Sequence, residues 1–301
     1  VLLVACSDPD DSPDVEPARA ESADGAGTDR DLLKEAPDHP IGSDGFSRHV
    51  YSEMQGQVVP SLIEGPAQQV RCQDEALPCS YLDLKALYES GAEIPEQLHI
   101  TRKELGALVA QLDVVSATLA RYKTINDACA AGFLPGDQQK ANMGLHMIKP
   151  GPPGEFDPAD PKLVLFAKAG GELYSPERLG RCVDGRWEGD QDFQIVGAAY
   201  MVSMADEHPK GFVGPFDNWH THMNACVDRN YMAIREHMGS KGDCEAAGGI
   251  YFDQAPWMVH VYAVPEFDSQ SGVFAMHNES IWPKVSAETL RKRSESSEHH
   301  H

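Results

Sequence analysis

The sequence lacks any run of about 18 or more apolar residues, so no segment reads as a membrane-spanning helix. It is poor in positive charge: 25 Lys and Arg stand against 47 Asp and Glu, a formal net charge of -22. Such a surface repels nucleic-acid phosphates and anionic headgroups, which argues against nucleic acid as a partner, and it attracts cations. There is no GxSxG elbow, no phosphate-binding loop and no GxGxxG turn. None of the 7 cysteines forms a CxxC pair, which argues against a zinc ribbon or thioredoxin-like chemistry. The acidic run Glu155-Phe156-Asp157-Pro158-Ala159-Asp160 lacks the ligand spacing of an EF-hand and reads as a solvated turn.

What is present starts at the first residues. Val1-Leu2-Leu3-Val4-Ala5-Cys6 is an apolar run ending in a small residue and a cysteine, followed at once by Ser7-Asp8-Pro9-Asp10-Asp11. This pattern resembles the end of a lipoprotein signal peptide, residues 1–6, in which cleavage precedes the cysteine and Cys6 is lipidated. Acyl chains on Cys6 would anchor the protein to the cell membrane or the outer membrane, facing the periplasm or the exterior. Residues 7–50 are then an acidic flexible tether: between Asp8 and Val50 stand twelve acidic and four basic residues and few large apolar ones. Residues 51–298 are expected to form a single domain, and His299–His301 are set aside from site reasoning.

The expected fold class is α+β, with an N-terminal helical segment followed by an antiparallel, irregular β domain pinned by disulfides. Leu82, Leu84, Leu87 and Tyr88 suggest a short helix after Cys79. Thr101 with Glu104 forms a capping-box signature, and Leu105, Leu108, Val109, Leu112, Val115, Leu119 and Tyr122 repeat at helical spacing, predicting a helix from Arg102 to Tyr122. A second turn or helix follows through Ala128 to Gly132. Leu163–Ala167, Phe193–Met204, Trp219–Cys226 and Trp257–Val264 read as strands, and Ser286–Arg293 as a closing helix. An exported protein with six further cysteines points to three disulfides. Short loops favour Cys72 with Cys79 and Cys226 with Cys244, which leaves Cys129 with Cys182.

The strongest chemical signal is Trp219-His220-Thr221-His222-Met223-Asn224-Ala225-Cys226. On one strand His220 and His222 would face the same side, about 6–7 Å apart, close enough to converge on one metal ion. A further ligand must come from elsewhere. His146 and His260 are the candidates, because each sits in a short apolar run where a ring without a polar role is expensive to bury. The ion is open between copper and zinc. Met143, Met147, Met223 and Met258 lie beside these histidines, and a soft thioether favours copper, but methionines here serve equally as packing. The structural alternative is that these histidines hydrogen-bond within the core or line a polar cleft.

The motifs MGxH (143–146), WHxHxNxC (219–226) and WMxHV (257–261), with Ile195-Val196-Gly197-Ala198-Ala199-Tyr200 between them, resemble an uncharacterised family of exported bacterial proteins, over roughly residues 115–283. The resemblance implies export but no reaction. In that family the segment often continues with Glu where this chain has Ala199, which weakens any acid–base mechanism that the resemblance would imply. Three functions follow. The chain is a membrane-anchored lipoprotein that binds copper or zinc through His146, His220, His222 and His260; or a metal-dependent enzyme, hydrolytic or oxidative, using the same histidines; or an interaction module in which the histidines are structural.

Overall fold

Among the described residues, four α-helices form where the sequence supplies caps and apolar stripes. In a computed structural model, residues 63–64, 72, 77–168, 180–203, 211–221, 223–229, 233–235 and 240–282 are described. Helix α1 (Tyr81–Ser90) is capped by Ser80 and ends at Gly91 in a left-handed conformation. Helix α2 (Arg102–Leu119) opens on the Thr101/Glu104 capping box, each partner satisfying an amide of the other. It buries Leu105, Leu108, Val109, Leu112, Val115 and Leu119 along one stripe. Helix α3 (Ile125–Ala130) repeats the device with Thr124 and Asp127, and α4 (Lys241–Ala246) is capped by Ser240. Among the described residues no helix is long and apolar enough to cross a membrane.

The strands in chain order are β1 (Ile63–Glu64), β2 (Leu134–Lys140), β3 (Gly144–Ile148), β4 (Leu163–Lys168), β5 (Arg181–Val183) and β6 (Arg186–Glu188). They continue as β7 (Phe193–Val202), β8 (His220–Thr221), β9 (Met223–Val227), β10 (Ala233–Arg235), β11 (Ile250–Gln254) and β12 (Trp257–Val261). Seven make one sheet in the order β1-β8-β12-β7-β4-β3-β2. Every strand pair in it is antiparallel. A three-stranded sheet, β10-β9-β11, and the hairpin β5-β6 complete the β structure, so the fold is α+β.

Period-two alternation divides the large sheet into two faces. Leu145 and Met147, Val164 and Phe166, Ala198 and Tyr200, and Val259 and Val261 join the helices' leucines in the main apolar core. Leu165, Ala167, Val196 and Tyr262 belong to the opposite face, where Ile281 packs on them. The segment after β12 contributes to both sides, Val273 and Phe274 to the main core and Ile281 to the second face. Tyr262 N donates to Val273 O at 2.8 Å, and Asn278 N donates to Asn142 O at 2.8 Å.

The three disulfides are Cys72–Cys79, Cys129–Cys182 and Cys226–Cys244, the pairing that loop length favours. Cys129–Cys182 ties α3 to the β5-β6 hairpin across 53 residues of sequence. Two expectations change. The run Trp219–Cys226 is not one strand: β8 pairs with β12 in the large sheet, whereas β9 pairs with β10 and β11 in the small one. The run Trp257–Val264 stops being a strand at Val261, where the chain leaves for the closing segment. The tether, Cys6 and the expected helix at Ser286–Arg293 lie outside the described residues.

Candidate functional site

The side of the sheet away from the helices collects the histidines. His146 is the middle residue of β3, between Leu145 and Met147, which both point into the main core. His260 lies on β12 between Val259 and Val261, also core residues. His220 opens β8 directly after Trp219, whose ring is buried in the core and whose Nε1 donates to Asp217 Oδ2 at 2.7 Å. In each case the apolar neighbours fix the histidine on the opposite face. Register gives the same result: His220 pairs with Met258, His260 with Ala199, Ala199 with Leu163, and Leu165 with both Gly197 and His146. All of these positions share one face.

The rings then meet. His146 Nε2 and His260 Nε2 are 3.4 Å apart. Ring centroids are 5.6 Å apart for His146 and His260 and 5.3 Å for His220 and His260. His146, His220 and His260 are 7%, 1% and 1% exposed. In a flat sheet β3 and β12, with β4 and β7 between them, would stand about 14 Å apart. Between these strands the ladder of β4 and β7 is irregular, Leu165 pairing with Gly197 but Phe166 with Ile195. Small residues form the floor. A side chain at Gly197 would press on the Tyr262 ring at 2.9 Å, and Ala199 lies opposite His260.

Gly144 explains the glycine of MGxH. Its φ is +91°, and a Cβ there would lie 2.4 Å from Phe166 O. Any side chain would push β3 off β4 two residues from His146.

His220 is set in one tautomer. Its Nδ1 lies 3.0 Å from Asn218 O, and a carbonyl only accepts, so Nδ1 carries the hydrogen. Burial lowers its pKa from 6.5 to about 4, against the opposing pull of that carbonyl. The ring is therefore neutral at pH 7 with its lone pair on Nε2. An imidazole whose other nitrogen donates to a carbonyl is the arrangement that orients histidine as a metal ligand.

The geometry brings together His146, His220 and His260. His222, the fourth expected ligand, lies outside the described residues, at the point in sequence where the chain leaves the large sheet for the small one. Among the described residues no group of three or more His, Cys, Asp or Glu side chains has the geometry to hold a metal ion. In the pair His146–His260 the Nε2 atoms lie 3.4 Å apart. Bonds of about 2.0–2.1 Å to a tetrahedral ion place two ligating nitrogens about 3.3 Å apart.

Sequence reading did not find Asn218 O behind His220, the floor at Gly197, or Met201 opposite Met258. A backbone acceptor leaves no residue-type signal, and Met201 had no neighbouring histidine to mark it. His277 is buried, 7% exposed, on the closing segment. No known protein family, curated protein or solved structure matches the chain.

Proposed function

We propose that this chain is an exported, lipid-anchored protein that binds a transition metal, copper or zinc, through His146, His220 and His260, with His222 as a further ligand. One observation carries the metal reading: imidazoles from three separated strands share a buried face, and two present Nε2 atoms 3.4 Å apart. The two Nε2 atoms lie within hydrogen-bonding distance of each other, and ligands of one tetrahedral ion stand at about this spacing. The neutral His220 ring, backed by Asn218 O, adds a ligand-type tautomer beside them. An acidic surface of net charge -22 raises the local concentration of cations. Export and anchoring rest on the Val1–Cys6 signal and on the resemblance of the MGxH, WHxHxNxC and WMxHV motifs to exported bacterial proteins. Three disulfides suit an oxidising compartment.

The test is elemental analysis of the full chain with His299, His300 and His301 replaced by Ala, after loading with Zn(II) or Cu(I) and removal of excess. About one equivalent is expected, with His220→Ala and His260→Ala each weakening binding by about a hundredfold or more, roughly 2.7 kcal/mol. Metal well below one equivalent in the folded parent overturns the reading.

A further inference from the structure

The methionines on the histidine face distinguish between the two metals. Met147, next to His146, is fully buried in the main core on the helix side, so it packs and does nothing else. Met258 is different. It lies two residues before His260 on β12 and shares that residue's face. Register places it between two others: His220 on β8 to one side and Met201 on β7 to the other. The row His220–Met258–Met201 therefore runs beside the row His260–Ala199–Leu163. Paired residues have Cα atoms about 4.5–5.5 Å apart, and adjacent rows on one face are about 6.6–6.8 Å apart. Both thioethers are thus within reach of an ion held by the histidines, on unbranched side chains with three rotatable bonds.

Met201 and Met258 are each partly exposed, and among the described residues neither joins the two apolar clusters on either side of the sheet. Met201 also lines a cleft of about 230 Å³, together with Lys149, Glu155, Asp160 and Lys162. Thioether sulfur with imidazole nitrogen is a donor set for a soft, monovalent ion and a poor one for zinc.

We propose, resting on the metal reading above, that the ion is copper(I) and that Met258 and Met201 supply sulfur donors on the histidine face. The test compares the full chain with its Met201→Leu/Met258→Leu double variant under anaerobic conditions, both with the three tail histidines replaced by Ala. Affinity for Cu(I) is read by competition with a colorimetric Cu(I) chelator, and affinity for Zn(II) by competition with a zinc dye. Leucine conserves volume, and an unchanged thermal midpoint verifies folding. The double variant is expected to lose tenfold or more in Cu(I) affinity and to change less than twofold for Zn(II). As a second reading that leaves packing intact, full replacement of methionine by selenomethionine should place a selenium neighbour in the copper-edge absorption spectrum. Equal Cu(I) affinity in parent and double variant, or a copper edge with nitrogen neighbours alone, overturns the sulfur donors while leaving the histidine site standing. A parent that binds zinc but not Cu(I) does the same. A parent that binds neither metal removes the metal reading itself.

Discussion

His220 and Asp217 lie three residues apart and are driven in opposite directions by the same burial. Burial lowers His220 from 6.5 to about 4. As pH falls the unfolded chain takes up that proton first, so the contribution of His220 is full above about pH 6.5 and is lost on the way down to about pH 4. Asp217 is raised from 3.8 to about 6, chiefly by burial and against the hydrogen bond from Trp219. Here the folded chain keeps a proton that the unfolded chain has released, so stability is full below about pH 3.8 and is lost as pH rises toward 6. Each effect is worth about 3 kcal/mol, and between pH 4 and 6 they nearly cancel. Asp217→Asn removes one of them. Urea unfolding of the metal-free chain at pH 4 and 6.5 should find the difference between variant and parent moving by about 3 kcal/mol in favour of the variant at the higher pH. A difference that stays constant would show that Asp217 titrates as it does in the unfolded chain. Gly144→Ala gives a second expectation at this scale. The added methyl meets Phe166 O in a backbone region disfavoured for alanine, so a loss of about 2–4 kcal/mol is expected by thermal or urea unfolding, together with weakened metal binding through displacement of His146. Unchanged stability would mean that β3 has room to move. His146 and His260 were legible because each stood in a short apolar run, and His220 through its HxH spacing with His222; the Asn218 carbonyl that fixes the tautomer was not, because every residue carries the same backbone acceptor.

At the scale of elements, legibility followed the strength of the local pattern. Helix α2 declared itself through a capping box and a stripe of leucines and valines, and its start at Arg102 came out as expected. Its end came three residues early, at Leu119, because Tyr122 turns back to meet Phe133 edge-on, ring centroids 5.5 Å apart. The strand β2 was not anticipated. Leu134-Pro135-Gly136 looks like a turn, yet these residues occupy the edge of the sheet, where a proline removes no ladder bond and where a break in register absorbs the glycine. The division of Trp219–Cys226 between two sheets was hidden for a related reason. His220 pairs with Met258 and Met223 with Gln254, so a step of three residues on one segment is matched by a step of four on the other. That mismatch is a property of pairing, and a single strand's sequence does not contain it. Helix α2 supports the site from beneath through the shared core. Leu112→Ala, at a fully buried position, should destabilise the chain by about 2–5 kcal/mol in urea unfolding. A loss under about 1 kcal/mol would mean that the helix is not integral to the core.

For the whole molecule, the layered arrangement separates tasks. Helices and one face of the sheet make the apolar core; the other face, on which Tyr262 and Ile281 pack, holds the imidazoles. Disulfides fix the periphery. Reducing Cys129–Cys182, whose residues are separated by 53 in sequence, should lower stability by about 4 kcal/mol on a chain-entropy estimate, measured as Cys129→Ala/Cys182→Ala against the parent. An unchanged urea midpoint would contradict this. The proposed anchor is tested in the same molecule expressed with a complete signal: Cys6→Ser should move the protein from the membrane fraction to the soluble exported fraction, and no change in fractionation would remove lipidation. The most direct test of the account is long-range ¹H–¹⁵N correlation of the imidazole nitrogens during titration with one equivalent of Zn(II) or Cu(I). The account predicts that the Nε2 signals of His146, His220 and His260 shift together and saturate at one equivalent, while Nδ1 of His220 keeps its proton; three Nε2 signals that stay at their metal-free positions would contradict it.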